Sequence, residues 1–245
     1  MKPFLVRGLF AAALSGALLF PGTSAAASPQ TDPLFTRLAR AAPGLDRDVL
    51  SLATRAVACT MRQPGAGTPP STLSVIDFSR PSTEPRLWVF DLASHALLFE
   101  ELVAHGRNTG GNIATAFSNR SGSNMSSLGA FRTAESYVGA NGYSLRLDGL
   151  EPGFNDRARE RAIVIHGAPY VSPDIARAQG RLGRSLGCPA VRPDVAPQLI
   201  DRIRGGSLVF AYYPDSDWLG RSHLLDGDCG ATRQASTKPP SSRDS

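Results

Sequence analysis

The chain has 245 residues, 42% hydrophobic and 19% charged, which fits one globular domain with a small appendage and excludes wholesale disorder. Its net charge is +5, and without Lys2 and Arg7 of the leader it is +3 (5 − 2). No Lys/Arg run is dense enough to mark a nucleic-acid partner, and the mild excess suits an anionic polymer such as cell-wall glycan peptide.

Residues 1–27 read as a secretory signal. Lys2 and Arg7 form a positive start, residues 8–20 an apolar core, and Ser24, Ala25, Ala26 and Ala27 a small-residue cleavage region. The core is shorter than the roughly 20 residues of a comfortable membrane span, although an uncleaved anchor is the alternative. The expectation is export to the periplasm or cell envelope, with no stable membrane span after cleavage. Export changes how the three cysteines, Cys59, Cys188 and Cys229, are read. An odd number in an oxidising compartment points to one pair and one free thiol. Cys188, in a Gly-flanked turn, is the candidate free thiol, and Cys59 and Cys229 are the candidate disulfide. Two small buried hydrophobes are the alternative for that second pair.

Residues 28–70 form an N-terminal helical segment and linker, 71–229 the main domain, and 230–245 a polar, Pro/Ser-rich tail expected to be disordered. Asp32-Pro33 starts a first helix and Pro43-Gly44 ends it. Asp46 caps a second, with Val49, Leu50, Ala53, Val57 and Met61 at helical spacing. The pattern then switches to period two. Strands are expected at 73–78 and 87–92, with a return arm over 96–104 and another strand around 143–147. Continuous apolar runs at 162–165 and 208–213 suit central strands. A short helix is expected over 195–204. The Gly/Ser/Asn-rich stretch 106–129 is long for a plain connection and suits a groove wall for an extended peptide; a mobile surface loop is the alternative.

The chemistry concentrates between 161 and 191, where His166 ends a buried strand and Cys188 follows 22 residues later in Ser185-Leu186-Gly187-Cys188. Together they suggest a thiolate–imidazole nucleophile pair. The imidazole, flanking Arg184 and Arg192, and the helix expected from near Pro193 would lower the thiol pKa. The amides of Gly187 and Cys188 would face a developing oxyanion. His166 would take the thiol proton and return it to the leaving amine. A carboxylate or a backbone carbonyl are equal candidates for orienting the ring. A buried core His and a buried structural Cys are the alternative. The four His and three Cys show no CxxC or HxxxH spacing, so neither metal nor cofactor is expected. His105 and Tyr170 are lesser candidates for lining the site.

Several segments resemble the L,D-transpeptidases of the YkuD-like group, the murein L,D-transpeptidase catalytic domain family. They are LSVIDF at 73–78, VAHGRNTG at 103–110, FSNRSGS at 117–123, SSLGAFRT at 126–133, GYSLRLDGLEPGFNDRARERAIVIHG at 142–167 and RSLGCPAV at 184–191. The resemblance implies a mainly β, sandwich-like catalytic domain with few peripheral helices, acting on peptidoglycan stem peptides. Cys188 would attack the carbonyl of the third stem residue, release D-alanine and pass the acyl group to an amine of another stem, giving a 3→3 cross-link. Water as acceptor would make the same site an L,D-carboxypeptidase, and a free D-amino acid would give exchange. A non-catalytic wall-binding module is the remaining alternative. His166, Ser185, Gly187 and Cys188 carry over from the family motif. Many members have Arg two residues after the nucleophile, and Ala190 stands there in this chain. Arg184 or Arg192 is the expected substitute for it in pairing with the substrate carboxylate.

Overall fold

The computed structural model describes residues 32–63, 67–226 and 229. The proposed signal, 1–27, and the proposed tail, 230–245, lie outside the described residues.

Two helices come first, α1 (Pro33–Ala41) and α2 (Arg47–Arg62). Their starts follow from side-chain caps. Asp32 accepts from the Leu34 amide, and Asp46 accepts from the Asp48 and Val49 amides at 2.8 and 3.1 Å. The apolar stripe of α2 buries Val49, Leu50, Ala53, Ala56 and Val57. Eight strands follow, interleaved with three short helices. They are β1 (Thr72–Asp77), β2 (Leu87–Asp91), β3 (Leu97–Glu101), β4 (Gly129–Gly139), β5 (Gly142–Gly149) and β6 (Val164–Gly167), then α3 (Pro173–Gln179), β7 (Ala190–Val191), α4 (Ala196–Ile203), β8 (Leu208–Tyr212) and α5 (Ser216–Arg221).

The strands make one sheet in the order β3-β2-β1-β8-β4-β5-β6-β7. Neighbours are antiparallel except β1 with β8 and β6 with β7, which are parallel. The chain beyond β3 turns back to the opposite edge. Ala104 bridges Ala190 of β7, with the Ala104 amide donating to the Ala190 carbonyl at 2.8 Å. The two edges therefore meet, and the sheet closes into a nearly barrel-like form. β1 and β8 lie inside the sheet; β1 is buried along its whole length, and β8 reads as an unbroken apolar run. Phe35, Leu38, Leu50 and Val57 of the helices share one core with Leu73, Ile76, Phe90, Phe210 and Trp218. Among the described residues, no helix is long and apolar enough to cross a membrane.

The structure adds β4, β7, α3 and α5 to the elements expected from sequence. A disulfide joins Cys59 at the end of α2 to Cys229, 170 residues away. Glu151, buried beside the core, accepts from the Ala130 amide at 2.7 Å and the Trp218 indole at 3.0 Å, tying β4 to α5.

Candidate functional site

The site lies where β6 and β7 run side by side at the closing edge. Cα pairing sets His166 opposite Ala190, two residues after Cys188. The Val164 amide donates to Cys188 Sγ at 3.5 Å, and Sγ reaches the Ala162 carbonyl at 3.7 Å. Cys188 is the free cysteine, buried with 8% of its surface exposed, while Leu186 in the same turn is 65% exposed. The thiol therefore sits just inside the surface, under a turn that projects outward.

The turn is braced from within. Ser185 Oγ donates to the Cys188 carbonyl at 2.6 Å and accepts from the Gly187 amide at 3.0 Å. Gly187 has φ of 127°, and a Cβ there would stand 2.8 Å from the Met125 carbonyl oxygen, so only glycine fits. The Gly187 amide, expected to face an oxyanion, is already occupied by Ser185. The Cys188 amide is the one that remains beside the sulfur.

His166 is buried, and its Nδ1–H donates to the Gly167 carbonyl at 3.0 Å. A carbonyl only accepts, so this contact fixes the proton on Nδ1 and leaves the Nε2 lone pair free. The orienting group is thus a backbone carbonyl. Burial lowers the His166 pKa, against the smaller opposing effect of the Gly167 carbonyl. Burial also raises the Cys188 pKa, outweighing the Val164 amide and the Arg161 charge. Both shifts favour the neutral thiol and the neutral imidazole, whereas the sequence suggested a thiolate. The physical reason is that desolvation outweighs the nearby cation. The helix expected to begin near Pro193 begins at Ala196, separated from the thiol by β7.

The other candidates divide. Tyr170 packs its ring on Gly183, and burial followed by the Cys188 charge pushes its phenol up to about 12, which places it near the sulfur as a neutral group. Arg184 donates to the Gly110 carbonyl at 2.8 Å. Arg192 is engaged by both oxygens of Glu101 at 2.7 and 2.9 Å, and by Asp194. His105 is only 1% exposed and faces inward. Its Nδ1 accepts from Arg86 Nη2 at 2.8 Å, and its Nε2 faces the Gly110 carbonyl at 3.4 Å. It braces the Gly110 backbone, to which Arg184 also donates, rather than facing a groove.

The stretch 106–129 is tightly built against the Ser185–Cys188 turn. A Cβ on Gly106 would come within 2.5 Å of the Asn124 carbonyl oxygen and 2.9 Å of Gly187 Cα. Ser126 Oγ accepts from the Gly106 amide and donates to the Gly187 carbonyl, each at 3.0 Å. Sequence reading missed Ser126, Arg86 and Arg161. Arg86 has no exposed surface, yet a charged residue before an apolar run reads as a solvated strand end. Among the described residues, no group of His, Cys, Asp and Glu could hold a metal ion.

Comparison with solved structures finds L,D-transpeptidases at low identity. One from Mycobacterium smegmatis is 14% identical with a TM-score of 0.38, covering 58% of this chain and 59% of that one. One from Mycobacterium tuberculosis H37Rv is 13% identical with a TM-score of 0.38, covering 59% of this chain and 58% of that one. The helical cell shape determining protein Pgp2 of Campylobacter jejuni is 12% identical with a TM-score of 0.39, covering 60% of this chain and 48% of that one. This chain thus spans about half to three fifths of the length of these structures. No curated protein matches the sequence. The family model described as L,D-transpeptidase catalytic domain matches residues 41–212, and a match over most of the chain means that this protein belongs to the L,D-transpeptidase catalytic domain family.

Proposed function

We propose that this chain is an exported L,D-transpeptidase that acts on peptidoglycan stem peptides through a thioacyl-enzyme on Cys188. The observation that carries this reading is the free thiol held against β6 at Val164, two residues before His166 in the same strand, with the imidazole Nδ1–H held by a carbonyl. That arrangement gives a nucleophile and a base of the correct tautomer without any carboxylate.

In the proposed cycle, the Nε2 lone pair of His166 takes the Sγ proton as Sγ bonds to the carbonyl carbon of the third stem residue. Charge passes to the carbonyl oxygen, where the Cys188 amide is the nearest main-chain donor. Collapse of the tetrahedral intermediate breaks the C–N bond, and the imidazolium returns its proton to the departing D-alanine amine. The thioester then meets a side-chain amine of a second stem. His166 removes the amine proton, the new amide forms a 3→3 link, and the thiol leaves reprotonated. Neutral resting partners suit this route, because the proton moves only when the carbonyl is present.

Incubating the purified protein with tetrapeptide-bearing muropeptides and reading products by mass tests the proposal. Cross-linked dimers are expected from the wild type and none from Cys188→Ala with unchanged circular dichroism. Tripeptides alone would identify a carboxypeptidase, and exchanged stems a D-amino-acid exchanger. Equal turnover by Cys188→Ala, or none by either protein, would overturn the assignment.

A further inference from the structure

Arg161 lies in the charged run at 156–162, just before β6. Its neighbours in that run face outward: Arg157 pairs with Glu160, and Arg159 with Asp148 and Glu135. Arg161 turns the other way. Its guanidinium donates to the carbonyls of Ser118 and Met125, each at 2.6 Å, and to the hydroxyls of Ser123 and Ser127. Every one of these acceptors is neutral. Among the described residues it forms no ion pair with a carboxylate. A half-buried cation with no counter-ion is costly unless an anion forms nearby.

The nucleophile turn is that place. A Cβ built on Gly187 would stand 3.4 Å from Arg161 Nη2, so the guanidinium lies directly behind the residue that precedes Cys188. The charged or titratable groups that interact with Cys188 are Arg161 ahead of β6 and Tyr170 in the loop after it, and His166 lies two residues beyond the Val164 amide that donates to the sulfur. Tyr170 is neutral, and His166 is neutral until it takes the proton. Arg161 is then the standing positive charge at the thiol.

We infer that Arg161 is the positioning residue of this site: it holds a fixed positive charge behind Cys188 that stabilises the thiolate once His166 has accepted the proton, and it fastens the segment carrying Ser118, Ser123 and Met125 to the nucleophile turn. The inference rests on Cys188 acting as the nucleophile. The mutual effect of the two groups agrees with it, since the Arg161 charge lowers the thiol pKa and the thiolate raises that of Arg161, each against the larger effect of burial. Arg157 opposes this from the same run.

The test reads the thiol without any substrate. Cys59 and Cys229 are joined, so iodoacetamide mass labelling of the folded protein reports Cys188 alone. The pH dependence of labelling is measured for wild type, Arg161→Gln and Arg161→Lys. The inflection should rise by about one pH unit or more in Arg161→Gln, because an adjacent opposite charge is worth at least that. Arg161→Lys should restore most of the wild-type inflection, and cross-linking turnover should follow the same order. An unchanged inflection in Arg161→Gln, or Arg161→Lys behaving like Arg161→Gln, would reduce Arg161 to a loop brace and overturn the inference. If Arg161→Gln fails to fold by circular dichroism, Arg161→Met removes the charge in its place: a rise of about one unit or more supports the inference and an unchanged inflection overturns it. A shifted inflection without turnover in the wild type would overturn the proposed function but leave the electrostatic role standing.

Discussion

His105 makes the stability of this protein depend on pH in a way that one substitution can isolate. Its ring is buried, accepts from the Arg86 guanidinium at Nδ1 and has Arg184 nearby. Burial first, then the Arg86 charge, lowers its pKa from 6.5 to about 4. Above 6.5 the ring is neutral in both folded and unfolded chains, and its contribution to stability is fully present. As pH falls toward 4, the unfolded chain binds a proton that the folded one refuses, so stability is lost across that window and levels off below it. Between pH 7.5 and 4.5 the loss from this group comes to about 2.5 kcal/mol. His105→Asn keeps an acceptor close to the Nδ1 position and removes the titration. Urea unfolding at both pH values should show a drop about 2.5 kcal/mol smaller in His105→Asn than in the wild type. His166 and the carboxylates titrate in both proteins and cancel from the difference. Equal drops would show that His105 is not held neutral by its buried contact with Arg86.

Three more outcomes follow from the packing of the site. Ser126→Ala strands the buried Gly106 amide and Gly187 carbonyl, and should cost about 2–4 kcal/mol in urea unfolding, with cross-linking turnover reduced as well. Gly187→Ala forces a Cβ against the Met125 carbonyl at a positive φ, and should lower kcat/KM by about tenfold or more. Reducing the Cys59–Cys229 bond should lower Tm while leaving the labelling profile of Cys188, read on its own peptide by mass, in place at 25 °C. The bond closes a loop of 170 residues, worth up to about 5 kcal/mol on the chain-entropy model, and lies at the end of α2.

What the sequence disclosed follows how strongly each segment signals by itself. α1 and α2 were readable because Asp32 and Asp46 are side-chain caps followed by apolar residues at helical spacing. β1 and β2 were readable from the switch to period two, and β6 and β8 from continuous apolar runs. β4 was hidden for a physical reason. Its buried positions are Gly129, Ala130, Phe131 and Thr133, of which Phe131 alone is a large apolar residue, and a register shift between Thr133 and Ser136 breaks the alternation. α3 has seven residues, too few for periodicity, although Ser172 caps it by accepting from the Ile175 amide and Gly180 closes it with φ of 65°. At the site, Cys188 and His166 stood out by residue type and turn context. Arg161 could not, because in a charged run alternate arginines look alike, and only the left-handed bend at Ala162 (φ 53°) and the fold around it show which one turns inward.

That inward turn leads to a second expectation for the thiol itself. If the pair rested as thiolate and imidazolium, iodoacetamide would label Cys188 readily below pH 7, and labelling would vary little with pH above that. The geometry predicts otherwise. Sγ is surrounded by main chain from Val164 and Ala162, and burial raises its pKa despite the Arg161 charge. Labelling of the free protein should therefore keep rising through alkaline pH and inflect above the ordinary thiol value. Turnover by the proposed route should behave differently, because that route requires a neutral His166, whose pKa burial lowers, and draws the proton off only as the carbonyl arrives. Its acid limb should lie below 6.5, well to the acid side of the labelling curve. Coincident curves for labelling and turnover would mean that the thiolate forms before substrate binds, and the neutral-pair route would have to be abandoned.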